Sequence, residues 1–221
     1  MSREETRALF KKHHEADDVL GFFEALYANA GGDTGAIPWA DLEPNPRLVT
    51  WLKAHDVRGK RCLVVGCGLG DDAAALTAAG ARVTAFDVSP TAVKWARERW
   101  AGQPIDFAVA DALETPAEWR GGFELIVEIY TIQALTAGLR RRALNTMAGD
   151  LAPGGLLLVI CRGRDDRAAP GEGPPWRLSL AELSEPLKER GLRSIEHSDG
   201  LDDETPPVRR FVSLWERTPQ A

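Results

Sequence analysis

The residue types most able to do chemistry gather in residues 63–87. An apolar run, Leu63-Val64-Val65, leads into Gly66-Cys67-Gly68-Leu69-Gly70-Asp71-Asp72. Glycines directly after a strand let the backbone approach a ligand closely, and the N–H groups that open the next helix can hold an anionic group. A tight structural turn would use the same glycines, so context has to decide. Asp87 ends the next apolar run, 21 residues after Gly66 and 17 after Gly70. A carboxylate at that place can accept from both hydroxyls of a ribose. The competing role is a helix N-cap, which Asp87 or Ser89 would fill ahead of Pro90. Asp111, with Ala112 beside it as Val88 is beside Asp87, follows a third run; it would accept from an adenine amino group or cap a surface turn. Glu128 ends a fourth run, where its carboxylate is expected to face the crevice and hold a ligand amino group. Tyr130 and Arg162 end the fourth and fifth runs and are placed to contact a second substrate, with Tyr130 positioning it. Trp176 follows Pro174-Pro175 and reads either as a wall of that substrate site or as a core anchor. Of the four histidines, His13, His14 and His55 fall outside the expected strand ends and His197 falls in a late strand; each reads as structural or exposed.

The charges at the turn discriminate between adenosyl ligands. Gly68-Leu-Gly-Asp-Asp-Ala73 can be forced into a dinucleotide fingerprint, but two carboxylates would then stand where a pyrophosphate needs positive potential. S-adenosylmethionine has no phosphate. Its amino group can meet acids and its carboxylate can take backbone N–H donors, so Asp71 and Asp72 become useful.

These residues need a scaffold, and the apolar periodicity supplies one. Apolar residues at helical spacing between Glu4 and Tyr27 predict one or two helices, and the glycines and Pro38 that follow predict a loop presenting Trp39. A short helix at 46–55 precedes strand 61–65, helix 71–79, strand 82–86 and helix 90–100. Strands 106–110, 123–129 and 156–161 follow, with a helix at 139–151 ending before Pro153-Gly154-Gly155. A Pro/Gly-rich loop at 163–175 leads to helix 179–190 and to strands near 194–197 and 209–216. Short apolar strands alternating with helices mean an α/β fold with a mostly parallel sheet covered on both faces. The last two strands have no helix between them and are expected to pair antiparallel at one edge.

Beyond this, the chain resembles the thiopurine/thiol/halide methyltransferase group of class I S-adenosylmethionine-dependent enzymes. The glycine segment 66–72 and Ala79-Gly-Ala-Arg-Val-Thr-Ala-Phe-Asp87 are similar to that group's glycine motif and second-strand acid, with Asp72 on the motif acid. Ile37-Pro38-Trp39 resembles its Pro-Trp signature, in which the Trp packs on the cofactor. Gly173-Pro-Pro-Trp176 and Arg209-Arg-Phe-Val-Ser-Leu-Trp-Glu-Arg217 resemble its Gly-Pro-Pro-aromatic loop and closing strand. The likeness spans residues 22–217. It implies a Rossmann-like, seven-stranded, single methyltransferase domain over residues 1–221, with a helical lid and Trp loop in 1–45 and the core in 46–221. It implies S-adenosyl-L-methionine as cofactor, held by Trp39, Gly66, Cys67, Gly68, Asp72, Asp87, Val88, Asp111, Ala112 and Glu128. The acceptor would be a small thiol met by Tyr130, Arg162 and Trp176. A thiol with a pKa near 8.5 already has a few per cent thiolate at neutral pH, so it needs a dedicated base less than an alcohol does. Oxygen, nitrogen, halide and metalloid acceptors are the alternatives within the fold. A dinucleotide oxidoreductase and a non-catalytic cofactor-binding module lie outside it.

Composition narrows the partners. With 221 residues, a net charge of -6 and one basic triplet, Arg140-Arg141-Arg142, read as a solvated helix face, the chain lacks the profile of a nucleic-acid binder. It has no long uncharged apolar run, no membrane span is expected, and no metal ligands are singled out. Cys62, Cys67 and Cys161 sit in or beside apolar runs, as free thiols of a cytoplasmic protein would. A monomer or homodimer is expected.

Overall fold

A computed structural model describes residues 3–16 and 18–218. Two helices, α1 (Arg3–Glu15) and α2 (Gly21–Ala30), and a loop carrying a single 3-10 turn precede α3 (Pro46–Leu52). The alternating part follows: β1 (Arg61–Val65), α4 (Asp71–Ala78), β2 (Arg82–Asp87), α5 (Pro90–Arg99), β3 (Ile105–Val109) and β4 (Phe123–Ile129). Then come α6 (Ala137–Asp150), β5 (Leu151–Arg162), α7 (Leu180–Glu189), β6 (Leu192–Leu201) and β7 (Arg209–Arg217).

The helices begin where local chemistry satisfies their first N–H groups. Asn45 and Pro46 open α3, Ser89 and Pro90 open α5, and Ser179 with Glu182 forms a reciprocal capping box on α7. The strands form one seven-stranded sheet in the order β3-β2-β1-β4-β5-β7-β6. Strands β1 to β5 run parallel, and β7 pairs antiparallel with both β5 and β6. The expected antiparallel pairing is present, and the strand running against the others is β7, second from the edge.

Both faces of the central strands are apolar, as helices on each side require. Leu63, Val65, Ile126, Leu157 and Val159 pack under α6 and α7. Val64, Ala85, Leu125, Val127 and Ile160 pack under α3, α4 and α5. Burying each larger side chain contributes about 1.5–3 kcal/mol. A third cluster joins α1 and α2 to the sheet's helices through Phe10, Phe22, Leu26, Tyr27, Leu69 and Ala92.

Two expectations are corrected. The α6 helix stops at Asp150 and β5 begins at once, so Pro153-Gly154-Gly155 lies within an irregular strand start rather than a loop; the register shifts there between Phe123 and Leu125. The arginine triplet is not simply a solvated face. Arg140 is 4% exposed and donates to the carbonyls of Ile132 and Leu135 and to Glu182, which ties α6 to α7. The histidines are structural: His55 stacks on Trp51 and meets Glu196, His14 stacks on Phe10, His13 meets Asp18, and His197 packs on Phe211.

Candidate active site

Strand order reverses its direction of growth at β1, which has β2 on one side and β4 on the other. The connections leaving β1 and β4 therefore diverge, and open α/β sheets bind ligands in the crevice between such connections. After β1 the chain turns through Gly66 (φ 59°), Gly68 (φ 51°) and Gly70 (φ 85°), all in the left-handed region. At all three space excludes a side chain as well, a Cβ on Gly70 standing 2.9 Å from the Phe107 and Trp100 rings. A Cβ on Gly66 would stand 2.3 Å from Thr131 Oγ1, and one on Gly68 would stand 3.0 Å from the Tyr27 hydroxyl.

Asp87 holds this turn. Its Oδ2 accepts the Gly68 N–H at 3.0 Å and its Oδ1 accepts the Ser89 N–H at 2.9 Å. Ser89, not Asp87, caps α5. Burial pushes the Asp87 carboxyl above the usual carboxylate range, against the backbone N–H groups that favour the anion. Two carboxylate oxygens offer about four lone-pair sites, so Asp87 retains capacity for further donors. Val88 beside it is half-buried. The two acids opening α4 differ. Asp71 pairs with Arg99 at 2.6 Å, whereas Asp72 accepts the Asn45 N–H at 2.7 Å and is pushed up to about 6 by burial. An anion raised in this way would gain from a nearby cation. Asp111 is spent partly on its own turn, accepting the Leu113 N–H at 2.7 Å, with Ala112 half-buried between them.

The opposite wall is the end of β4, where Glu128 is enclosed rather than open to the crevice. Its side chain is 0% exposed and does not face an open crevice. Oε1 accepts the N–H groups of Thr131 at 2.7 Å and Ile132 at 2.9 Å, and Oε2 is buried without a partner. Burial pushes the group up to about 7, partly offset by those two bonds and by the charge of Arg140. The carboxylate braces the turn that carries Tyr130, whose φ of 66° costs a bulky residue on the order of 1–3 kcal/mol. The bracing is completed by Thr131 Oγ1 donating to Val65 at 3.1 Å and the Tyr130 N–H donating to Ile160 at 3.0 Å. Tyr130 thereby presents its ring beneath the Arg210 guanidinium at 4.6 Å. Burial raises its phenol above the ordinary value.

Arg162 lies opposite Arg210 in the β5–β7 register. Its backbone N–H donates to Gln133 Oε1 at 2.7 Å, and its guanidinium Nε is buried without a partner. Trp176 is half-buried against the N-terminal helical cluster, edge-on to Phe10 at 5.9 Å, and its backbone N–H donates to the Gln133 carbonyl at 2.7 Å.

The N-terminal helices cover the glycine turn. Glu24 of α2 accepts from the Ser89 hydroxyl at 2.6 Å, the Thr91 N–H at 3.1 Å and the Thr91 hydroxyl at 2.7 Å, which fastens α2 to the start of α5. Tyr27 is fully buried, and its hydroxyl accepts from Trp39 Nε1 at 3.1 Å. Trp39 remains 41% exposed on its loop, against Phe22, Phe23 and Tyr27. Sequence reasoning passed over Glu24, Tyr27, Asn45, Thr131 and Arg210. Only Arg210 carried a usable signal: an antiparallel closing strand starts at the edge where the parallel strands end.

A methyltransferase-domain family model matches residues 62–155. A probable thiol methyltransferase from Arabidopsis thaliana is 28% identical over 76% of this chain and 74% of its own length. A thiopurine S-methyltransferase from Xanthomonas campestris is 30% identical over 69% of this chain and 75% of its own. The chain belongs to this family of S-adenosylmethionine-dependent methyltransferases. The methyltransferase shares its fold with a 1,6-didemethyltoxoflavin N1-methyltransferase from Burkholderia thailandensis solved with S-adenosylhomocysteine. That likeness has a TM-score of 0.71 and 21% identity, over 93% of this chain and 90% of the other.

The residues of the methyltransferase fit its cofactor. The turn is closed to side chains at Gly66 and Gly68, Asp87 has acceptor capacity to spare, and Asp72 is an acid lacking a cationic partner among the described residues. No described helix is long and apolar enough to cross a membrane. Among the described residues, no group of three or more His, Cys, Asp or Glu side chains is placed to hold a metal ion.

Proposed function

We propose that the methyltransferase methylates the sulfur of a small thiol. In this reading Gly66, Cys67, Gly68 and Asp72 hold the methionine end of the cofactor, Asp87 and Val88 its ribose, and Asp111 and Ala112 its adenine. Glu128 serves them indirectly by bracing the β4 turn. Trp39 and Tyr27 close the site, which makes residues 1–45 a lid over the core at 46–221. Bound there, S-adenosylmethionine supplies a methyl group on a sulfonium. The chain's own residues orient the acceptor, exclude water and hold its charge.

The observation that carries the sulfur reading is the character of the acceptor wall. Tyr130, with its phenol raised above 10, stays protonated at neutral pH, and Arg162 and Arg210 stay cationic. Glu128 is buried on the α6 side and committed to two N–H groups. A protonated phenol and two guanidinium groups do not remove a proton; cations beside a thiol lower its pKa and favour the thiolate. The relatives named for thiol and thiopurine substrates support the same acceptor. Three free cysteines are in keeping with a cytoplasmic enzyme.

The test is incubation with labelled cofactor and a panel of thiols, phenols, amines and iodide. Thiols are expected to be the best acceptors by kcat/KM. Turnover of a phenol or amine with every thiol silent would overturn the assignment.

A further inference from the structure

The methyl-transfer reading gives the charge of Arg162 and Arg210 a use but does not explain why buried N–H groups of both are left without a partner behind Tyr130. Arg162 and Arg210 are directly opposed across the β5–β7 pair, where like charges destabilise. The Arg162 guanidinium makes no hydrogen bond or ion pair among the described residues, and its Nε is buried without a partner. Arg210 is 3% exposed; its Nε donates to Asp202 at 2.7 Å and its Nη2 to Glu204, while its Nη1 is buried and unpartnered. Arg47 and Arg177 add positive charge around Tyr130 and Arg162, so four cations are opposed by Asp202 and Glu204. A buried guanidinium N–H without a partner is costly, and two cations held together raise the cost further. What is missing is an anion.

We propose that the acceptor carries a carboxylate, received jointly by Arg162 Nε and Arg210 Nη1 at the outer end of the acceptor site. The proposal rests on the methyl-transfer reading and deepens it. A planar carboxylate offers one oxygen to each guanidinium, the geometry in which arginine binds such groups best. Strands lie about 4.8 Å apart, so the boundary between β5 and β7 is roughly 7 Å from the end of β4. That matches a thiol separated from its carboxylate by two or three carbons, its chain lying on the Tyr130 ring. Binding energy taken at the carboxylate would then position the sulfur.

The test compares 3-mercaptopropionate with its primary amide, which has nearly the same shape but no charge and one acceptor oxygen replaced by an NH2 donor. Rates are measured with wild-type protein, Arg162→Met and Arg210→Lys, and melting temperatures establish that each variant is folded. Wild type is expected to favour the acid over the amide by about tenfold or more in kcat/KM, expressed mainly in KM, since a charge-assisted bond is worth about 1.5–3 kcal/mol. Arg162→Met is expected to bring the acid-to-amide ratio near one. Calorimetry on the S-adenosylhomocysteine complex gives a second readout, in which Arg162→Met weakens acid binding about tenfold. Equal use of acid and amide by wild type, or an unchanged ratio in a folded Arg162→Met, overturns the carboxylate subsite. If no thiol is methylated yet the acid still binds in an Arg162-dependent way, the sulfur assignment fails and the subsite stands. If acid binding does not depend on Arg162, the subsite fails whatever the acceptor atom.

Discussion

Asp87 fixes the glycine turn through Gly68 and Ser89 and has lone pairs left over, which the proposed site gives to the cofactor ribose. Asp87→Asn retains an oxygen for Ser89 but turns an amide donor toward the Gly68 N–H. One or two charge-assisted bonds to the cofactor are lost, each worth about 1.5–3 kcal/mol. Affinity for S-adenosylhomocysteine, measured by calorimetry, is therefore expected to fall about 10–100-fold. Unchanged affinity in a folded variant would remove the ribose role. Asp87 was legible in the sequence because its distance from Gly66 follows from one β-α-β unit. Tyr130 was legible only as a strand-end residue. Its left-handed backbone depends on Glu128, Thr131 and Ile160, and no local pattern announces that combination.

At the scale of elements, strands β1, β2 and β4 could be read almost to the residue from apolar runs punctuated by glycine, proline and acids. The α6–β5 junction could not, because Pro153-Gly154-Gly155 has loop chemistry but is spanned by the strand, whose Leu151 and Leu156 on either side pair with β4. The covering position of α2 is likewise tertiary. Its anchor, Glu24 on Ser89 and Thr91, sits at the start of α5, where the helix dipole favours an anion. Hydrogen exchange is expected to be faster in α2 and the Trp39 loop of the apo protein than in its S-adenosylhomocysteine complex. Glu24→Ala should speed that exchange in the apo state and leave the amides of β1 and β4 unchanged. Equal protection of α2 with and without ligand would end the lid assignment.

At the scale of the whole molecule, buried acids set the pH dependence. Glu128 is raised from 4.5 to about 7 and Asp72 from 3.8 to about 6, and burial also raises Asp71, Asp87 and Asp150. A raised carboxyl binds more protons in the folded state than in the unfolded one. Its stabilisation is thus complete below the unfolded value and lost as pH rises through the folded value. The apo protein is expected to lose stability between about pH 4.5 and 7, seen as a higher melting temperature at pH 5 than at pH 8. Glu128→Gln keeps an acceptor for Thr131 and Ile132 and removes the buried charge. It should stabilise the protein at pH 8 by up to about 3 kcal/mol, with the gain vanishing near pH 5. A gain that is the same at both pH values would contradict this account.

Period and spacing along the chain were enough to determine the parallel sheet, the glycine turn and its partner acid, because these depend on residues close in sequence and on the fixed geometry of strands and helices. The tertiary structure decided which side of the sheet each acid faces, which arginines lose their water, and what lies over the turn. Glu128 shows the difference: its place at a strand end was readable, but its burial depended on a brace formed from four segments. The Arg162–Arg210 pair shows it again, since two arginines 48 positions apart meet only when β7 reverses direction and lays one against the other.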